Sequence, residues 1–223
     1  KRAIVNLVVK HVKKMVPPWR IPDAVMFRAA LRAGQAQTLT ELPLGHDDIA
    51  FLQYTGGTTG VAKGAILTHR NLVANVQQVA AWIGRDLDDG KETAILPLPL
   101  YHVYALTSNL VFLKIGAHVI LITNPRDMPA FIKELRSHKF TAIIGVNTLY
   151  NALLNAPGFA DVPTKHIKMT NAGGMAVQRV VAEKWKQITG VPIIESYGLT
   201  ETSPAAISNP LDIKDWTGNI GVP

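Results

Sequence analysis
The 223-residue sequence contains no cysteine. This excludes disulfides, thiolate metal sites and a cysteine nucleophile, and it fits a reducing, cytoplasmic setting. Acidic residues are sparse: 16 Asp and Glu stand against 23 Lys and Arg, for a formal net charge of +7. That excess is either a plain basic surface or a field favouring polyanions such as nucleotides, CoA or an anionic membrane face. The basic residues are scattered apart from Lys10, Lys13 and Lys14, and no zinc-finger, RNA-recognition or helix-turn-helix pattern is present, so nucleic acid is not an expected partner. No Asp or Glu occurs from Thr93 to Arg126. The uncharged run Thr93 to Leu113 is long enough for a membrane span, but Pro97, Pro99, His102, Thr107, Ser108 and Asn109 interrupt it. A buried strand followed by a buried helix accounts for it better. There is no Gly-x-Ser-x-Gly elbow, and the 7 histidines lack metal-ligand spacing. The sequence does not begin with Met, carries no secretory signal, and ends at Thr217–Pro223 without a closing element, so both ends are expected to be cuts inside a longer protein.

What is present is a globular pattern, 48% hydrophobic. Helices are expected at Ile4–Val16, stopped by Pro17-Pro18, and at Pro22–Leu31, ended by Gly34. A polar linker follows, giving a helical segment over 1–46 and a core over 47–223. From Ile49 the chain alternates. Strands are expected at Ile49–Tyr54, Ala65–Leu67, Thr93–Leu96, His118–Thr123, Thr141–Val146, His166–Thr170 and Pro192–Glu195, the last clear one. Helices are expected at Asn71–Ile83 behind a Thr68 cap, His102–Ile115, Met128–His138 behind an Asp127 cap, Thr148–Leu154, and Val177–Thr189 before Gly190. The fold class is therefore α/β: a mainly parallel sheet covered by helices on both faces, with ligands at the carboxyl ends of strands.

Tyr54-Thr-Gly-Gly-Thr-Thr-Gly-Val-Ala-Lys-Gly64 is the most informative segment. Its glycines permit close backbone approach, its amides can form a nest for an anion, and Lys63 adds a cation. A flexible Gly/Thr turn is the alternative. A Walker A loop is excluded, because Lys63 is flanked by Ala62 and Gly64. Two further segments follow: Asn171-Ala-Gly-Gly-Met175, by itself an ordinary strand-to-helix turn, and Glu195-Ser-Tyr-Gly-Leu-Thr-Glu-Thr-Ser-Pro204. A fourth, Leu98-Pro-Leu-Tyr-His-Val-Tyr-Ala-Leu106, holds a lone histidine among apolar residues, which unaided reads as a core histidine.

Together, in this order, these segments resemble the motifs of the adenylate-forming superfamily: acyl-CoA synthetases, firefly luciferases and peptide-synthetase adenylation domains. Leu121-Ile-Thr-Asn-Pro-Arg-Asp127 and the Val146-Asn-Thr-Leu segment are similar to bacterial long-chain fatty-acid:CoA ligases in particular. The resemblance spans about Asp47 to Pro223. It departs at Gly56, Ala62 and Ser196, where relatives carry Ser or Thr, Pro, and Gly.

The resemblance implies ATP-dependent activation of a long-chain fatty acid through an acyl-adenylate, then thioester formation with CoA. Thr55, Gly56, Gly57, Thr58, Thr59, Gly60 and Lys63 would grip phosphates. Gly173, Gly174, Met175, Ser196, Tyr197 and Gly198 would surround adenine. Thr200 would bond the α-phosphate, and Glu201, with Thr58, would hold Mg²⁺. His102 would stand at the acyl carboxylate, with Tyr101, Val146, Asn147 and Tyr150 along the acyl chain; plain core helix is the alternative for Val146–Leu154. The acid-free run from Thr93 to Arg126 argues against a substrate ammonium. The family's small C-terminal domain is not found in the sequence, so this piece alone is expected to be inactive. Fatty acid, ATP and CoA are the implied partners, with peripheral contact to the anionic inner face of the cell membrane, and an oligomer is open. The alternatives are a fatty-acyl-AMP ligase loading a carrier protein and a non-catalytic nucleotide-binding module.

Overall fold
A computed structural model describes residues 2–55, 60 and 62–223. The chain divides into two units, Lys1–Pro43 and Leu44–Pro223. In the first, α1 (Arg2–Leu7) continues into a wider helical turn at Val8–Val12, and α2 spans Phe27–Gln35. The first helix thus ends before Pro17, and α2 starts later than expected and runs through Gly34. None of the described residues of these helices is buried.

The second unit opens with an antiparallel hairpin, β1 (Ile49–Thr55) and β2 (Lys63–Thr68). The Gly/Thr loop therefore joins two hairpin strands and does not end a parallel strand, contrary to the reading from alternation. Then follow α3 (His69–Ile83), β3 (Thr93–Leu96), α4 (Val103–Lys114), β4 (His118–Leu121), α5 (Met128–Ser137), β5 (Ala142–Gly145), α6 (Asn147–Leu154), β6 (Met169–Ala172), α7 (Arg179–Thr189), β7 (Ile193–Gly198) and β8 (Ala205–Ser208). Strands β3 to β8 form one sheet in the order β4-β3-β5-β6-β7-β8, parallel except for antiparallel β7–β8.

Local chemistry explains these boundaries. Thr68 and Asn71 form a reciprocal capping box at α3, and Asp127 accepts from Ala130 N–H at 3.2 Å to start α5. Gly190, in left-handed backbone, stops α7. The expected strand at His166 begins three residues later, because Thr164–His166 is a short 3₁₀ turn. Strand β8 has only four residues and no strong apolar alternation, and the sequence reading missed it.

Side chains alternate across the sheet and build two cores. Ala94, Leu96, Ala142, Ile144 and Met169 pack with α3 and α4. Ile95, Ile143, Ala172 and Ile193 pack with α5, α6 and α7. Trp185 anchors the second core, edge-on to Tyr150 at 4.7 Å and tilted on Phe159 at 5.4 Å. Helices thus cover both faces.

Candidate functional site
A cleft of about 1110 Å³ opens on the α3/α4 face at the carboxyl ends of β5, β6 and β7. Its mouth is lined by Thr55, His102, Gly173, Gly174, Ser196, Tyr197, Gly198, Thr200 and Glu201. Val79, Trp82, Ile83, Val111, Phe112 and Met169 give its wall a large apolar share, with Asn75, Gln78, Thr107 and Ser108 among them. Among the described residues lining it, Glu201 is the one carboxylate.

The turn after β6 favours glycine. A Cβ on Gly173 would lie 3.2 Å from the Tyr104 ring and 3.4 Å from the Ser196 carbonyl, and Gly174 has φ +78°. Asn171, on β6, ties three elements together. It receives the Tyr104 hydroxyl at 2.6 Å and donates to Ser196 Oγ at 2.8 Å and to the Ile194 carbonyl at 3.1 Å. Ser196 Oγ lies 2.8 Å from Ser208 Oγ, which extends the chain to β8. Burial pushes the Tyr104 hydroxyl far above its ordinary range, so it remains a proton donor. His102 caps α4, accepting Tyr104 N–H on Nδ1 at 3.2 Å. On the opposite face, buried Glu195 accepts Val177 N–H at 2.9 Å and fixes the start of the segment before α7.

The segment from Leu199 to Pro204 is the turn between β7 and β8. Thr200–Thr202 form one 3₁₀ turn, and Ser203 adopts left-handed backbone with φ 75°. Leu199 N–H donates to Thr202 Oγ1 at 3.0 Å and to the Pro204 carbonyl at 3.2 Å. A Cβ on Gly198 would meet Pro204 O at 2.0 Å, so only glycine allows the turn to close. Glu201 projects from this turn exposed. No group of three or more His, Asp or Glu among the described residues could hold a metal alone.

The structure does not bring every expected residue here. Gly56, Gly57, Thr58 and Thr59 lie outside the described residues. Gly60 (φ +103°) and Lys63 are exposed at the hairpin end, and neither lines the cleft; Thr55 does. Met175 is exposed beside the turn and not in the lining. Tyr101 is 81% exposed; its carbonyl accepts from Gln53 Nε2 at 2.7 Å, which ties the hairpin to this segment. Val146, Asn147 and Tyr150 belong to the other side of the sheet. Tyr150 is fully buried with its hydroxyl on the Asn171 carbonyl at 2.5 Å, Asn147 accepts Gln178 N–H at 2.9 Å, and Val146 packs in the α5–α7 core. The chain leaves β5 toward α6 on that face, away from the cleft. In their place, α3 and α4 supply the apolar wall. The sequence offered one signal for this, the acid-free run through α4.

A family profile for AMP-binding enzymes matches residues 7–223. The chain is 52% identical over its whole length to a long-chain-fatty-acid–CoA ligase of Haemophilus influenzae and 51% identical to one of Escherichia coli; in each case it spans 40% of the relative's length. Among solved structures, ATP-bound MatB from Rhodopseudomonas palustris aligns with a TM-score of 0.70 at 30% identity, over 83% of this chain and 36% of that one.

Proposed function
Because the chain belongs to the AMP-binding enzymes, we propose that it carries the nucleotide- and acyl-binding face of a ligase that activates a long-chain fatty acid through an acyl-adenylate and passes it to CoA. The observation that carries this reading is a single cleft joining His102, Gly173 and Thr200–Glu201 to an apolar wall without a second carboxylate.

On this reading adenine lies against Gly173, Gly174 and Tyr197, where missing Cβ atoms leave backbone accessible. Thr200 donates to the α-phosphate. Glu201 would hold Mg²⁺, with Thr58 as a second oxygen donor, and the Gly/Thr loop would grip the remaining phosphates. Bound there, the metal supplies charge neutralisation during phosphoryl chemistry. His102, held by its cap, orients the fatty-acid carboxylate toward phosphorus. The alkyl chain runs along Val79, Trp82, Val111 and Phe112. An ammonium on the substrate would be buried there without a partner, at a cost of several kcal/mol (about 2–7 for an unpaired polar group alone). Catalysis is then positioning and charge stabilisation without a protein nucleophile.

The chain spans 40% of its curated relatives, and by itself it is expected to turn over little. The test supplies the remaining span and compares pyrophosphate release from Mg·ATP with palmitate, acetate, benzoate and leucine. Release with palmitate above the other three supports the reading. Release with another acid alone replaces the substrate, and none with any acid leaves a nucleotide-binding module. Transfer to a carrier protein in preference to CoA would identify a fatty-acyl-AMP ligase.

A further inference from the structure
Helix α3 runs beside the cleft, and two of its polar side chains grip backbone at opposite ends of β8. The Asn75 amide donates to the Ala205 carbonyl at 2.8 Å and accepts Ala205 N–H at 3.0 Å. Two turns on, Trp82 Nε1 donates to the Asn209 carbonyl at 3.2 Å. Residues seven apart share a helix face, so α3 brackets the whole strand. Asn75 is 4% exposed. Asparagine is a poor helix former, and its buried amide is costly unless satisfied. Here the Ala205 peptide satisfies it in the manner of a neighbouring strand, and Gln78 Oε1 takes a further N–H contact at 3.3 Å.

Ala205 is the first residue of β8 and closes the turn that presents Thr200 and Glu201. From α4, Thr107 (3% exposed) donates to the Ser203 carbonyl at a long 3.4 Å, at the residue held in left-handed backbone. The base of the turn is thus held from both helices that form the wall of the cleft, while its tip is exposed. Among the described residues, the long-range partners of these polar atoms are the 203–205 backbone: both atoms of the Asn75 amide meet Ala205, and the Thr107 hydroxyl meets Ser203.

We infer that Asn75 and Thr107 are positioning residues for the Thr200–Glu201 turn, setting where the Glu201 carboxylate stands relative to the nucleotide's metal. The inference rests on the role proposed above for Glu201. Both residues also line the cleft; the role inferred for them is exerted through the backbone at 203–205.

The test is Mg²⁺ titration of ATP binding, read by equilibrium dialysis with labelled ATP and no fatty acid, alongside Mg²⁺ titration of palmitate-dependent ATP–pyrophosphate exchange, in the protein extended to the full span of its relatives. Asn75→Leu and Thr107→Val are compared with the unmutated protein, with circular dichroism confirming folding at the assay temperature. Lys168→Met, a destabilised variant at the far end of the sheet, is the control. Asn75→Leu should raise the Mg²⁺ needed for half-maximal ATP binding and exchange about tenfold, the size expected for losing buried hydrogen bonds, with a smaller rise for Thr107→Val and none for Lys168→Met. The KM for palmitate should stay within about twofold. An unchanged Mg²⁺ requirement in folded Asn75→Leu, or an equal rise in Lys168→Met, overturns the inference. If Asn75→Leu does not fold, an unchanged requirement in Thr107→Val overturns it. Absence of exchange in the unmutated protein overturns the ligase reading beneath it, which is a separate result.

Discussion
Single residues carry most of what is specific in the cleft. Gly173 and Gly198 are there because a Cβ would strike Tyr104 or Pro204, and Thr68 and Asp127 because a helix start needs a side-chain acceptor. The two glycines were marked only by the family resemblance, whereas the caps were legible, since a capping residue acts through local backbone geometry. Asn75, Tyr104 and Thr107 were not, because their partners lie 67 to 130 positions away. A buried amide in the middle of a helix carries no local sign of the peptide it will meet. The same scale yields a direct expectation for Glu201. It is exposed and makes no hydrogen bond among the described residues, so Glu201→Gln should leave the unfolding free energy within about 0.5 kcal/mol. Mg²⁺-dependent exchange should fall by roughly 10²–10³-fold. Denaturant unfolding and exchange assays on the same preparation check both halves; a large stability loss would mean that the carboxylate is structural.

At the scale of elements, periodicity and composition located nearly every strand and helix of the sheet but not their sides. The acyl contacts expected on Val146–Leu154 show why. An apolar helix start after a strand reads the same on either face, and only the crossover direction decides between them. The crossover puts α6 with Trp185 and Phe159 and leaves α3 and α4 over the cleft. Val79→Trp should therefore shift the preferred acid toward shorter chains, read from initial rates across a chain-length series. Tyr150→Phe should leave that series unchanged while lowering stability by about 1–3 kcal/mol, since it strips a buried carbonyl of its donor. A reversed result would return the acyl chain to α6.

The opposite end of the sheet is held by charge. Lys168, before β6, bonds Glu92 Oε1 at 2.7 Å and Asp88 at 3.0 Å, while Glu92, before β3, is buried and accepts Asp88 N–H at 2.7 Å. Burial alone pushes the Glu92 carboxyl up, but bonds from Lys168, Thr141 and the Asp88 backbone outweigh it and hold the group below its ordinary 4.5. A depressed carboxylate adds stability above the unfolded-state value and loses it as pH falls through the folded one, so this contribution fades below about pH 4.5. Lys168→Met leaves Glu92 buried and uncompensated. The loss at pH 7 should lie toward the low end of ~3–5 kcal/mol, because Lys168 is partly solvated, and it should shrink as pH drops below that window. Urea unfolding at pH 7 and pH 4 measures both; a pH-independent loss would remove Glu92 from the account.

The second unit has an apolar core on each face of its sheet, and the described helical residues of the first unit are all solvent-exposed or nearly so. Among the described residues no helix is long and apolar enough to cross a membrane. The first unit shows Val12, Met15 and Trp19 exposed beside Lys10, Lys13 and Lys14, a combination suited to an anionic surface. Co-sedimentation with phosphatidylglycerol vesicles but not phosphatidylcholine vesicles, reversed by salt, is the expected outcome. Equal recovery with both would reduce the basic cluster to a solvated face.

The central claim is that the fatty-acid carboxylate attacks the α-phosphorus of ATP over the Thr200–Glu201 turn. Palmitate labelled with ¹⁸O in its carboxylate tests it most directly, in the protein extended to the full span of its relatives and supplied with Mg·ATP and CoA. After acyl-CoA forms, the AMP produced should carry one ¹⁸O from the acid. Label in inorganic phosphate, or unlabelled AMP accompanying acyl-CoA, would contradict the acyl-adenylate account.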